Sequence, residues 1–188
     1  MSNFFTHKSS YVSDLAKIGD GTKIWHFSHI MEDVEIGKNC VIGQNVFIAR
    51  GVKIGNNCKI QNNVSIYEGL ILEDDVFCGP SCVFTNVVNP RSFVIRRDEF
   101  KQTILRKGSS IGANSTIICG NEIGKYSLVG AGALVTKDVK AFSVVYGIPA
   151  SFKGWVSKNG NILDEQLICP ETGEKYRLDN DNLILNED

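Results

Sequence analysis

The stretch Ile18-Gly-Asp-Gly-Thr-Lys-Ile24-Trp-His-Phe-Ser-His-Ile30-Met-Glu-Asp-Val-Glu-Ile36-Gly-Lys-Asn-Cys-Val-Ile42-Gly-Gln-Asn-Val-Phe-Ile48 carries isoleucine at every sixth position. The column extends outward in both directions, to Val12 on one side and through Ile54, Ile60, Ile66, Leu72, Cys78 and Phe84 on the other. After a break it resumes three residues out of phase at Leu105, Ile111, Ile117, Ile123, Val129 and Val135. A period of six fits neither a helix nor a half-buried strand. It fits short strands winding into a prism, each hexad supplying one side.

Two further columns keep the same phase. The residue two before each apolar position is small or apolar (Ser28, Val34, Cys40, Val46, Val52, Cys58, Val64), so both columns face inward. The residue three after it is glycine, asparagine or aspartate at Gly21, Asp33, Asn39, Asn45, Gly51, Asn57, Asn63, Gly69, Asp75, Gly108, Asn114, Gly120, Gly132 and Asp138. Those are the types that tolerate a positive φ at a tight corner. The pattern resembles the left-handed parallel β-helix family. The expected fold is therefore all-β, with the prism in residues 1–150, a projecting loop at 88–104, and a C-terminal tail at 151–188 in which LICPETGEKYRL reads as a hairpin. The coils are expected over about 11–87 and 105–140, with the tail over the open end of the prism.

The chain of 188 residues has a net charge of −1, which implies no general attraction to nucleic acid or acidic lipid. No apolar run opens it, so neither a secretory leader nor a membrane span is expected and a cytoplasmic location is the default. Of six cysteines, Cys40, Cys58, Cys78 and Cys82 fall in inward columns and read as reduced core residues. Cys119 reads as outward. Cys169 lies in the tail without the second ligand pair a zinc ribbon needs, and no metal site is expected.

Residues 18 apart should lie above one another. One corner then stacks His26, Gln44 and Asn62, with Trp25, Gln61, Asn63, His29 and Ser65 beside them. Such a ridge suits hydrogen bonding to a sugar or nucleotide. The next corner stacks Glu32, Arg50, Glu68 and Asn86. The first three read as a charge ladder. Val87 stands where a left-handed corner residue is expected, so the chain should leave its regular path there and expose Asn86 at the mouth of the loop. In the second stretch Ala113 lies under Ala131, flanked by Gly112, Gly130 and Gly132. This wall is nearly bare of side chains and suits a long thin ligand. Lys137 could meet a phosphate.

Several runs resemble the bacterial nucleotide-sugar 3-N-acetyltransferases of the hexapeptide-repeat family. They are Gly21–His29, Gly43–Val46, Gln61–Ser65, Glu73–Ser81, Phe84-Thr-Asn-Val87, Asn89-Pro-Arg91 and Val129–Ala133. Within the family the resemblance points to acetylation of UDP-2-acetamido-3-amino-2,3-dideoxy-glucuronate. Acetylation of a dTDP-3-amino-3,6-dideoxyhexose is the alternative, and a non-catalytic β-helix scaffold the alternative of another class. The resemblance implies acetyl-CoA as acetyl donor, a homotrimer with active sites between subunits, and a part in O-antigen or related surface-polysaccharide synthesis. It implies Asn86 at the reaction centre, with His26 as the candidate base. Gln44, Asn62, Asn63, Ser65 and Arg91 fall on the substrate side, and Ala113, Gly130, Ala131, Gly132 and Lys137 on the coenzyme side.

Overall fold

The computed structural model describes residues 3–186. They form a parallel β-helix of three faces, with one short 3-10 turn at Arg97–Glu99 and no α-helix among the described residues. Face one runs from Phe5–Thr6 through Lys23–Ile24, Val41–Ile42, Lys59–Ile60, Phe77–Cys78, Ser110–Ile111 and Leu128–Val129 to Ser143–Tyr146. Face two stacks Tyr11–Val12, His29–Ile30, Phe47–Ile48 and Ser65–Ile66, then Val83–Phe84, Thr116–Ile117 and Leu134–Val135. Face three stacks Lys17–Ile18, Glu35–Ile36, Lys53–Ile54, Leu70–Leu72, Thr103–Leu105 and Glu122–Ile123. The first coil opens at Phe5, earlier than the hexad column indicates, because Thr6 rather than an aliphatic pairs with Ile24.

Both inward columns are buried as the period requires. Ile24, Ile30, Ile42, Ile48, Ile60 and Ile66 are fully enclosed, as are Cys40, Val52, Cys58 and Val64. Each enclosed isoleucine contributes about 1.5–3 kcal/mol by removal from water. All six cysteines are free thiols. Cys119, read as outward, is buried as well, since the returning loop lays Lys101 beside Gly120.

The corners take left-handed φ at Gly21, Asp33, Asn39, Asn45, Gly51, Asn57, Asn63, Gly69, Asp75, Gly108, Asn114, Gly120 and Gly132. Asp138 is an exception, and its carboxylate accepts the Glu122 N–H at 2.8 Å. Phe27, Ser81, Tyr126 and Phe142 also take left-handed φ, although none is a residue type that favours it. Val87 does not, and the chain leaves the prism there. Successive partners Phe84 and Ile117 are 33 residues apart instead of 18, so the loop inserts 15 residues into corner two. The Lys101 N–H donates to the Asn86 carbonyl at 2.9 Å and closes the loop at its base.

Ser151–Trp155 adds antiparallel to Ser143–Tyr146 and covers the last edge of face one. Beyond it, the turn at Cys169–Glu174 forms the expected hairpin, and a second hairpin pairs Tyr176–Asp179 with Asn182–Leu185. Leu163, Cys169, Tyr176 and Leu183 make a small core of their own against Phe142. No helix among the described residues is long and apolar enough to cross a membrane.

The faces differ in chemistry. Face three carries charge outward: Lys17 meets Glu35 at 2.9 Å, and Arg106 bridges Glu73 at 2.8 Å and Glu122 at 2.5 Å. Face two carries none. Its outward positions are Tyr11, Ser13, His29, Met31, Phe47, Ala49, Ser65, Tyr67, Val83, Thr85, Thr116, Ile118, Leu134 and Thr136.

Candidate active site

The register sorts the candidate residues onto the two corners that flank face two. Ile24, Ile42, Ile60, Cys78, Ile111 and Val129 pair in succession, so two residues further on the corner reads His26, Gln44, Asn62, Pro80, Ala113, Ala131. This is corner one: a polar ridge below and a bare wall above, on one continuous edge. Ile30, Ile48, Ile66, Phe84, Ile117 and Val135 mark the other edge. Corner two therefore reads Glu32, Arg50, Glu68, Asn86, Cys119, Lys137.

On corner one, the groove beside His26 has a volume of about 320 Å³ and is lined by Trp25, His26, Gln44, Gln61 and Asn62. Part of the ridge serves the prism. The Gln44 N–H donates to Asn62 Oδ1 at 2.8 Å, and Asn45 Nδ2 to Asn63 Oδ1 at 3.1 Å. Ser65 opens a face-two strand and stands off the ridge. His26 lies between two aromatic neighbours. The His7 ring stacks on it with centroids 3.5 Å apart, and the Trp25 ring is within 8° of parallel at 6.2 Å. Burial, then the neighbouring His26 and Lys8, hold the His7 imidazole below its ordinary pKa. The coils expected from about residue 11 onward leave His7 outside them. Its place in the first coil makes it a member of this cluster.

Higher on corner one, Gly112 is required by stacking, since a Cβ there would stand 2.4 Å from the Ala131 nitrogen. Gly132 is different. Its φ is +70° and a Cβ would meet nothing within 4 Å, so the corner beside it is open. Ala131 is exposed, and Tyr146, which sequence reasoning passed over, borders the wall at Gly130. No side chain larger than a methyl projects from Gly112, Ala113, Gly130, Ala131 and Gly132, which leaves a bare strip along the upper part of corner one.

On corner two, Arg50 is bound by Glu32, as a charge ladder requires. Asn86 is half-buried at the loop mouth, level with Pro80. Lys137 lies two coils above it, exposed, on the edge of a cavity of about 570 Å³ between the last coil and the tail. Within the loop, Arg91, Arg96 and Arg97 line a hollow of about 290 Å³ with Val87, Pro90, Val94 and Phe100. The guanidinium of Arg96 pairs with Glu99 at 2.9 Å, and that of Arg91 donates to the Pro90 carbonyl. Among the described residues no group of three or more His, Cys, Asp or Glu side chains is placed to hold a metal.

One chain thus separates Asn86 from His26 in two ways. They occupy different corners, and the coil of Asn86 lies three steps above that of His26, about 14 Å at the ordinary strand spacing.

The family described as bacterial transferase hexapeptide (six repeats) matches residues 15–50, and the hexapeptide repeat of succinyl-transferase matches 33–68 and 107–137. A protein of Aneurinibacillus thermoaerophilus, dTDP-3-amino-3,6-dideoxy-alpha-D-galactopyranose 3-N-acetyltransferase, is 44% identical over 176 residues, covering 92% of this chain and 90% of that one. A 2,3,4,5-tetrahydropyridine-2,6-dicarboxylate N-acetyltransferase of Staphylococcus aureus is 38% identical over 76 residues, 40% of this chain and 29% of that enzyme. Among solved structures, the GDP-perosamine N-acetyltransferase of Caulobacter crescentus aligns with TM-score 0.53 at 20% identity, covering 81% of this chain and 57% of that one, little over half its length. Galactoside acetyltransferase in complex with coenzyme A aligns with TM-score 0.58 at 22% identity, covering 68% and 66%. These likenesses, with the hexapeptide match, give the prism its left hand. The relative that spans the chain is named for a dTDP-linked 3,6-dideoxy sugar, not for the UDP-linked uronate.

Proposed function

The chain belongs to the hexapeptide-repeat nucleotide-sugar N-acetyltransferases, and on that premise we propose that it acetylates the 3-amino group of a dTDP-linked 3-amino-3,6-dideoxyhexose. It is an acetyl-CoA-dependent N-acetyltransferase of nucleotide amino sugars. The observation that carries the finer reading is the 44% identity to the dTDP-sugar enzyme over 92% of this chain. A methyl at C5 makes no demand for a cation, so the reading leaves the loop arginines to the diphosphate that every nucleotide sugar carries. The product would be an activated N-acetylated sugar of the kind glycosyltransferases consume, which supports a place in surface-polysaccharide synthesis.

We further propose that the site forms between copies of a homotrimer. The support is the uncharged outward surface of face two, which runs the length of the prism beside the charge-bearing face three. Burying face two around a common axis sets corner one of each copy against corner two of the next. The wall of Ala113, Gly130, Ala131 and Gly132 then faces Asn86 and Lys137, residues that a single chain holds apart. We assign Lys137 to a coenzyme phosphate, and Arg91, on the loop, to the sugar diphosphate.

Bound acetyl-CoA supplies a thioester carbonyl: the sugar 3-amine attacks it, the C–N bond forms, the C–S bond breaks and the departing thiolate takes the proton from nitrogen. Asn86 cannot remove a proton. Its amide oxygen accepts a hydrogen bond from the amine and directs the lone pair. An axis parallel to the prism keeps the height difference between coils, so a single reacting amine does not reach both Asn86 and His26. His26, Gln44, Asn62 and Asn63 are accordingly given to the nucleotide sugar away from the amine. The test is thiol release from acetyl-CoA with a panel of dTDP- and UDP-3-amino sugars. Turnover fastest with a dTDP-3-amino-3,6-dideoxyhexose supports the reading, and preference for the UDP-uronate overturns it.

A further inference from the structure

We infer that the aromatic cluster at the lower end of corner one, Trp25, His26 and Phe27 with Phe5 and His7, is the seat of the pyrimidine base of the substrate. The inference rests on the nucleotide-sugar reading and deepens it. Three observations lead there.

The first is position. The cluster lies about 14 Å along the prism from the level of Asn86. That is the reach of an extended nucleoside-diphosphate sugar from its 3-amine to its base. Corner one between the two levels offers Asn62, a neutral group suited to the ribose and the sugar hydroxyls, on the groove beside His26.

The second is chemistry. Phe5, Trp25 and Phe27 are 45%, 39% and 64% exposed. Phe5 and Trp25 touch with ring centroids 5.4 Å apart, and the His26 ring lies nearly parallel to that of Trp25 with His7 behind it. A planar base stacks on such a platform whatever its sequence context. Its carbonyl and imide edge can pair with the amides of Gln44 and Gln61.

The third is strain. The left-handed residues of corner one are Phe27, Asn45, Asn63, Ser81, Asn114 and Gly132. Phe27 alone is bulky, at φ +57°, and its ring faces solvent rather than the core. The prism gains little from it that Asn or Gly would not supply with less strain. Its backbone amide is held by Ser9 Oγ at 3.0 Å, and Ser9 in turn contacts His7 Nδ1 at 2.9 Å, so the strained corner and the stacked imidazoles form one unit. Strain of this kind persists where a side chain serves a ligand.

The experiment measures binding of dTDP alone and of coenzyme A alone by calorimetry, for wild type, Phe27→Gly, Phe27→Ala and Trp25→Ala, together with Tm. Phe27→Gly relieves the strained corner, so it should keep or raise Tm while weakening dTDP at least tenfold and leaving coenzyme A within twofold. Trp25→Ala should do the same to dTDP. In turnover, KM for the sugar nucleotide should rise with kcat little changed. The inference is overturned if Phe27→Gly folds and binds dTDP within twofold of wild type, or if wild type binds no nucleoside diphosphate. Failure of the functional reading looks different: wild type binds dTDP, and the variants lose it, yet no 3-amino sugar nucleotide releases thiol.

Discussion

The imidazole of His7 lies on that of His26 with centroids 3.5 Å apart and planes 29° from parallel. The Ser9 N–H reaches His7 Nδ1 at 3.2 Å, which makes that nitrogen an acceptor and favours the neutral ring. A proton added to His7 would break that contact and face Lys8 and His26.

The pH dependence follows from the sign. The pKa of His7 is depressed in the folded state, so between its folded value and the ordinary value of about 6.5 the unfolded chain binds the extra proton. Stability is therefore full above about pH 6.5 and declines as pH falls below it. Tm of wild type should drop more than that of His7→Gln between pH 7.5 and 5. Equal drops in the two proteins would remove His7 from the account.

Asn86→Ala should lower kcat by roughly a hundredfold, the scale of losing one preorganised hydrogen-bonding group at the reacting centre. KM for acetyl-CoA should stay within about threefold, since the wall lies on the other corner. Steady-state kinetics with both substrates saturating gives the answer, and near-normal turnover would contradict the assignment.

Two substitutions on the bare wall should behave in opposite ways. Gly112→Ala forces a Cβ to 2.4 Å from the backbone of the next coil and should destabilise the fold by about 1–3 kcal/mol or more. Ala131→Trp projects from an exposed position, so it should leave Tm nearly unchanged and raise KM for acetyl-CoA by an order of magnitude. Thermal melts beside kinetics separate the two. An Ala131→Trp enzyme with ordinary acetyl-CoA kinetics would take the coenzyme off this wall.

Phe47 is half-buried on face two between His29 and Tyr67, at centroid distances of 5.6 Å and 6.0 Å. Phe47→Glu plants a charge in the uncharged face, so the proposed trimer should dissociate and activity fall with it. Light scattering reads the mass. A variant that keeps the wild-type mass and turnover would move the interface elsewhere.

Much of the fold can be read from residue spacing alone. The isoleucine column, the inward cysteines and the Asn and Gly corners all follow from one period of six, because each position in the hexad meets one steric demand. The loop exit was legible too, at Val87, where a β-branched residue cannot take the corner. What the period hides is whatever breaks it. Thr6 in place of an aliphatic conceals the first coil, and with it His7. Phe27 and Tyr126 hold left-handed φ against their preference, and a bulky residue in a corner phase is the signal that could have marked them. Cys119 is outward by phase yet covered by a loop whose path no local rule sets. The candidate site was half legible: the 18-residue spacing stacks His26, Gln44 and Asn62, but the sharing of one edge by the ridge and the Ala wall appears only once the 15-residue insertion is placed.

Chain complementation tests the two-corner site directly. Differently tagged Asn86→Ala and Ala131→Trp chains are co-expressed and mixed trimers isolated through both tags. At acetyl-CoA well below the wild-type KM, where the Asn86→Ala and Ala131→Trp parents keep roughly one-hundredth and one-tenth of wild-type turnover, each mixed trimer of the proposed assembly holds a single interface with an intact corner one and an intact corner two, so roughly one-third of wild-type turnover should return. Mixed trimers no more active than either parent would show that the reacting groups come from one chain.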